Sequence, residues 1–252
     1  MLNYRKVLLE KYITTAYGHN HESAGKAFVK DDFLSYMTYF KYNYLKLLPE
    51  DKGAVILELG PGMGQFMNFV KLNGYKNISG LDGSIEVVNH CRNQDLDVAL
   101  CSDFIGYFNQ SNPEARYDMI VANDFLEHFC KEELFSLLSG LRSYLKPGGA
   151  LIMKIPNASA CFVGAHSRYC DFTHEVSFTE LSIRQLLSAL DFSSIRILAP
   201  NMFCFYRNPL NYLGKLLAYI LTKLQILIYR LHGSFDVKIV SGSMIVTAKK
   251  NT

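Results

Sequence analysis

Two short segments of this chain carry side chains that can move a proton or bind a cation. The first is Asn123-Asp124-Phe125-Leu126-Glu127-His128, and the second is Arg168-Tyr169-Cys170-Asp171-Phe172-Thr173-His174-Glu175. If a helix begins near Asp124, i, i+3, i+4 spacing brings Asp124, Glu127 and His128 to one face. Two chemistries fit these groups. In one, His174 or His128 is a general base that takes the proton of a sugar or other alcohol hydroxyl. In the other, Asp124, Glu127, His128 and His174 hold a divalent metal that binds and acidifies that hydroxyl, and the mixed donor set does not name the metal. A third reading makes Glu127 and His128 a helix-start and packing feature. The residues alone leave all three open. His19, His21, His90, His166 and His232 have no comparable setting and read as surface or linker residues.

A different chemistry is written in Val55-Ile56-Leu57-Glu58-Leu59-Gly60-Pro61-Gly62-Met63-Gly64-Gln65-Phe66. A buried strand runs into three glycines at alternate positions and then into a helical stretch, Gln65 to Leu72. Glycine there permits a tight turn and a close approach of backbone to ligand. A dinucleotide fingerprint needs G-x-G-x-x-G, but Gln65 stands where that pattern continues, which weakens a pyrophosphate reading. Asp82, after the next strand, is placed to accept both hydroxyls of a ribose. Ser102, Asp103 and Phe104 follow the third strand and suit the edge and face of an adenine, although Asp103 also reads as a helix cap.

The elements that must hold these groups are short apolar runs alternating with helical stretches. Strands are expected at residues 54–59, 77–82, 97–101, 118–123, 150–156, 194–200 and 243–248. That alternation implies a doubly wound parallel sheet with helices on both faces, its ligand at the carboxyl ends of the strands. Leu145-Lys146-Pro147-Gly148-Gly149 reads as a tight turn into the fifth strand. Thr179 reads as the cap of a helix after the second polar segment. Residues 1–50 read as helical and aromatic (Phe33, Tyr36, Met37, Phe40, Tyr44, Leu47), a lid over the main domain at 51–252, with Tyr17 and His19 as candidate neighbours of the cofactor. A helical insertion at about 205–232 precedes the last strand.

Taken in order, E-L-G-P-G-M-G, G-L-D-G-S, S-D-F, Y-D-M-I-V-A-N-D-F-L-E-H and L-K-P-G-G-A-L-I-M-K-I-P-N resemble the class I S-adenosylmethionine-dependent methyltransferases over about residues 54 to 200. The resemblance implies a Rossmann-like seven-stranded sheet, mostly parallel with one antiparallel strand. It implies that Glu58, Gly60, Gly62 and Gly64 contact the amino-acid portion of S-adenosylmethionine, Asp82 the ribose, and Ser102, Asp103 and Phe104 the adenine. Asn123 and Asp124 would border the methyl donor. Asp124-x-x-Glu127-His128 is similar to the E-x-x-E-H metal motif of ubiquinone-pathway and small-RNA 2′-O-methyltransferases, with Asp in place of the first Glu. This likeness implies Mg²⁺ or Mn²⁺.

The element Arg168-x-x-Asp171-x-Thr173-His174-x-x-x-Phe178-Thr179 resembles a subgroup of bacterial methyltransferases associated with capsule and O-antigen polysaccharide. It implies O-methylation of a sugar hydroxyl on a small-molecule or lipid-linked glycan acceptor. A quinone or small phenol is the alternative acceptor, and an inactive methyltransferase fold serving as a binding subunit is the alternative role.

The chain has 252 residues, 49% of them hydrophobic, and a net charge of +3, which fits one globular domain with a small appendage. No concentrated basic stripe is visible, so a nucleic-acid partner is not expected. Six cysteines without a C-x-x-C pair fit a reducing cytoplasm. No secretory signal is read at the N-terminus. From Pro209 to Leu231, Lys215, Tyr219, Thr222, Lys223 and Arg230 share one stripe of an otherwise apolar helix. Lys223 interrupts the run, so it reads as too short and too charged to span a bilayer. It is expected to cover the sheet, form a homodimer face, or lie peripherally on the inner face of the membrane.

Overall fold

The computed structural model describes residues 7–8, 28–110, 115–202, 204 and 208–251; Tyr17, His19 and His21 lie outside the described residues. Helix α1 (Phe28–Asn43) and a 3₁₀ turn (Leu45–Leu47) lead into β1 (Ile56–Leu59), α2 (Gln65–Leu72), β2 (Ile78–Asp82), α3 (Ile85–Arg92) and β3 (Val98–Leu100). Next come α4 (Phe104–Phe108), β4 (Tyr117–Asn123), a 3₁₀ turn (Leu126–His128), α5 (Lys131–Tyr144) and β5 (Leu145–Pro156). The chain closes with α6 (Gly164–Tyr169), α7 (Glu180–Ala189), β6 (Phe192–Leu198), α8 (Pro209–Leu231) and β7 (Ser243–Lys250).

The seven strands form one sheet in the order β3-β2-β1-β4-β5-β7-β6, with β7 antiparallel to both its neighbours and the other pairs parallel. The expected fold class is therefore what the chain adopts. β1 begins the sheet in its middle, one wing grows outward through β2 and β3, and the chain then crosses to β4 on the other side. Period-two alternation divides the core between the two faces. On β4, Ile120 and Ala122 join Leu134, Leu137 and Leu138 of α5, whereas Met119 and Val121 join Met67 and Val70 of α2.

Two local details differ from the sequence reading. Leu145–Gly149 is not merely a turn before β5: Leu145 already pairs with Tyr117, and Lys146–Gly149 loop out before pairing resumes at Ala150 and Met119. Gly148 takes the positive φ of 75° that this bulge needs, and Lys146 Nζ donates to Asp118 Oδ2 at 2.7 Å. The second difference follows β4. No α-helix starts at Asp124; this residue is left-handed (φ 50°), a region Asp tolerates, and a single 3₁₀ turn follows. The expected cap at Thr179 is present, its hydroxyl accepting from Ser182 N at 3.1 Å.

Candidate active site

At the carboxyl ends of β1, β2 and β4 the structure opens a cavity of about 870 Å³. β1 is buried along its length and ends in a loop where Gly60, Gly62 and Gly64 all have positive φ (63°, 54° and 76°). At Gly60 a side chain is excluded twice, by the φ and by Phe125, whose ring carbon would stand 2.7 Å from a Cβ. Gly60 and Gly62 line the cavity; Gly64 does not, because Leu96 packs over it and its place is the cap of α2.

Glu58 and Asp82 face this cavity as buried carboxyls. Burial pushes Glu58 up to about 8; the adjacent Asn123 side chain lowers it and the neighbouring Asp82 charge raises it. Its Oε2 atom is buried without a hydrogen-bond partner, as is Nδ2 of Asn123. An unsatisfied buried carboxyl oxygen is costly, and a cationic or N–H-bearing ligand removes that cost. Burial also raises Asp82 to about 6, against hydrogen bonds from the backbone of Ser84, Gly62 and Gly83. Ser102, Asp103 and Phe104 line the same cavity. Asp103 does cap α4, its Oδ1 accepting from Gly106 N at 2.8 Å, so the expected cap and the cavity position coexist. The roof comes from α1: Tyr36, Tyr39 and Phe40 line the cavity, and Tyr44 donates to Asn123 Oδ1 at 2.7 Å.

A second cavity, about 340 Å³, adjoins the first and shares Asp124, His128 and Lys154 with it. Glu127, Ser167, His174 and Met202 also line it. The two histidine rings stand 4.9 Å apart, inclined at 66°. His174 Nδ1 lies 2.9 Å from the Ser167 carbonyl, which only accepts, so Nδ1 carries a proton and donates it there. Thr173 donates its hydroxyl proton to Asp171 Oδ1 at 2.6 Å, so His128 Nδ1, 2.7 Å from the Thr173 hydroxyl, donates to it. His128 is thereby oriented by a Thr173–Asp171 chain. Burial, followed by the adjacent His174, drops its pKa to about 4 and keeps it neutral near pH 7.

These contacts explain the spacing of the second polar segment. Arg168 donates to the carbonyls of His174 and Glu175, fastening the loop that carries His174. Glu175 N and Val176 N donate to the Glu127 carbonyl at 2.7 and 3.2 Å, tying that loop to the 3₁₀ turn. Phe178 is buried and Thr179 caps α7.

The four proposed metal ligands line one cavity but do not converge. Among the described residues no group of three or more His, Cys, Asp or Glu side chains is arranged to hold a cation. The reason is Lys154, whose Nζ lies 2.5 Å from Asp124 Oδ2. Burial alone would lower its pKa, but Asp124, Tyr39 and Glu127 outweigh that and keep it charged. An ammonium is thus paired with Asp124, the first carboxylate of the motif. Glu127 is buried with its Oε2 unpartnered, and burial followed by the Asp124 charge raises its pKa well above the ordinary value. Sequence reasoning missed Lys154; the signal for it was a lone charge inside the apolar strand Ala150–Pro156. Tyr39 and the Tyr44–Asn123 bond carried no such signal.

The family profile described as "Methyltransferase domain" matches residues 33–197. No curated protein matches the sequence. Among solved structures, an S-adenosylmethionine-dependent methyltransferase from Archaeoglobus fulgidus is similar at 21% identity and TM-score 0.58, over 88% of this chain and 93% of that one. Magnesium protoporphyrin IX methyltransferase from Synechocystis, with bound S-adenosylhomocysteine, is similar at 15% identity and TM-score 0.60, over 98% and 100%. A plantazolicin methyltransferase, also with S-adenosylhomocysteine, reaches 18% identity and TM-score 0.57, over 98% and 95%. The glycine loop, the two buried carboxyls at the strand ends and the matched family together place this chain in the methyltransferase-domain family, as a class I S-adenosylmethionine-dependent methyltransferase.

Proposed function

We propose that this enzyme O-methylates a sugar hydroxyl of a bacterial surface polysaccharide precursor. The observation that carries the reading is the second cavity, where His128 and His174 stand together beside the cofactor cavity. Glu58, Gly60, Gly62, Asp82, Ser102, Asp103, Phe104 and Asn123 would hold S-adenosylmethionine, and Gly64 supports their loop from beneath. When bound, that cofactor supplies a methyl group on a sulfonium. The protein's part in such a displacement is to align the nucleophile and accept its proton. His174 Nε2 takes the hydroxyl proton, while the Ser167 carbonyl holds the ring in the required tautomer. His128, held by Thr173, stands beside His174 and orients the acceptor. Lys154, paired with Asp124, keeps a positive charge at the junction of the two cavities, where an oxygen gaining negative character is stabilised. The similarity of the Arg168–Thr179 element to polysaccharide methyltransferases supports a glycan over a quinone or phenol.

The reaction proceeds on these residues without a divalent metal, because Asp124, the first carboxylate of the motif, is paired with Lys154. The aromatic helix α1 acts as the lid of the cofactor cavity, and the enzyme works on the cytoplasmic side of the membrane. The test is transfer of a labelled methyl group to a panel of nucleotide sugars, lipid-linked glycans, phenols and amines, with product mapping by mass spectrometry. A methyl ether on a sugar is expected. Preferential methylation of an amine or a phenol would replace this reading.

A further inference from the structure

Helix α8 is built inside out for a helix packed on a domain. An amphipathic helix of a globular protein normally turns its apolar face to the core. Here the buried residues are Asn211 and Gln225, each 8% exposed, and along the same stripe lie Gly214, Ala218, Thr222 and Tyr229. This small and polar stripe is fastened to the domain: Gln225 Oε1 accepts from Cys161 N at 3.2 Å, and Tyr229 donates to the Ser159 carbonyl at 3.0 Å. Leu213, Leu217, Ile220, Leu224, Leu227 and Leu231 point outward, with exposures from 47 to 76%. One flank of that face carries Tyr212, Lys215, Tyr219, Lys223 and Arg230, and the helix has no acidic residue. The helix is unbroken for 23 residues, long and apolar enough by length and composition to cross a bilayer, contrary to the sequence expectation that Lys223 cuts it short. Because Gln225 and Tyr229 bind it sideways to the domain, it lies along the surface.

The geometry points to α8 as a seat on an anionic lipid bilayer, with its leucine face in the acyl boundary and its Lys, Arg and Tyr flank at the headgroups. An outward apolar face, a basic flank and interfacial tyrosines are the attributes of a helix lying in that plane. The absence of acid on α8 matches a negative surface. The seat also adjoins the acceptor cavity. The chain on either side of α8 supplies Pro200 and Met202 before it and Ser241–Ser243 after it to that cavity's wall. Exposed Phe162 and Val163 follow directly on the backbone that Gln225 holds, and Phe235 follows the helix. The site would thus open beside the membrane, and an amphiphilic, lipid-anchored acceptor would reach it without leaving the bilayer. The acceptor class rests on the reading of the second cavity given above; the lipid seat does not.

The test is flotation of the full chain with phosphatidylcholine vesicles, with and without phosphatidylglycerol, alongside sedimentation of the free protein. Partition at least about tenfold stronger onto the anionic vesicles is expected. Leu217→Glu with Leu224→Glu should abolish it, and Lys215→Glu with Lys223→Glu should remove the preference for anionic lipid. All four positions are exposed, and S-adenosylhomocysteine binding confirms that the variants are folded. No vesicle binding by the wild type, or undiminished binding by the leucine variant, would overturn the proposal. A dimer that the leucine variant dissociates, without vesicle binding, would assign the face to a second copy instead. No acceptor is present in the assay, so an error in the proposed acceptor leaves its outcome untouched.

Discussion

At the residue scale, the proposed function assigns binding to one cavity and chemistry to the other. Asp82→Ala should weaken S-adenosylhomocysteine binding by roughly tenfold to a hundredfold in calorimetry, the worth of a hydrogen bond to a charged group. His174→Ala should leave that binding unchanged and lower turnover by about 10²–10⁴-fold, the range for loss of a general base. Full activity of His174→Ala on the true acceptor would remove the histidine from the mechanism. Glu58 gives a second, pH-dependent signature. Its folded-state pKa lies near 8 and its ordinary value is 4.5, so the free protein holds a proton there that the unfolded chain has lost. Stability of the free protein should therefore fall as pH rises from about 4.5 to 8, since the folded state binds the extra proton. A ligand ammonium favours the ionised carboxylate, so binding near pH 7 should release a proton and tighten as pH rises toward 8. Calorimetry in buffers of different ionisation enthalpy measures that release, and Glu58→Gln should eliminate it.

At the scale of elements, the second cavity depends on how the loop after β5 meets the turn after β4. The left-handed Asp124 redirects the chain so that Phe125 closes over Gly60 and packs on Phe104, with ring centroids 4.9 Å apart. The loop then seats on Glu127 through two backbone hydrogen bonds. Helices α4 and α5 close the face behind this turn, and their approach requires Gly140. A Cβ there would stand 2.7 Å from the Phe108 carbonyl oxygen. Alanine at an exposed helical glycine usually stabilises. Gly140→Ala should instead destabilise by about 1–3 kcal/mol, as overpacking does, and chemical denaturation would read it. An increase in stability would show that α4 yields easily.

For the whole molecule, the decisive arrangement is the ion pair at the junction of the cavities. Lys154 reaches it from the carboxyl end of β5, Asp124 from that of β4, and Tyr39 from α1. Turnover should be unchanged by EDTA and by added Mg²⁺ or Mn²⁺. Chelator-sensitive activity that either ion restores would show that Lys154 gives way to a metal. The six cysteines are all free, so no covalent cross-link helps to hold the site together.

The amino-acid sequence by itself determined the sheet and the glycine loop and carboxyls that line the larger cavity, Gly64 excepted. Strand alternation, the run from Glu58 through Gly64, and Asp82 all act through contacts close along the chain, where residue type and spacing dictate geometry. Thr179 was legible for the same reason, because a cap is a local bond. The second cavity was not legible, because its geometry is set by side chains far apart in sequence. Whether Asp124, Glu127, His128 and His174 form a metal site depends on a lysine brought in from β5. The orientation of α8 was likewise decided by the tertiary structure. Periodicity showed two faces but not which one meets the domain, and the bonds of Gln225 and Tyr229 turned the polar stripe inward and left the leucines outside.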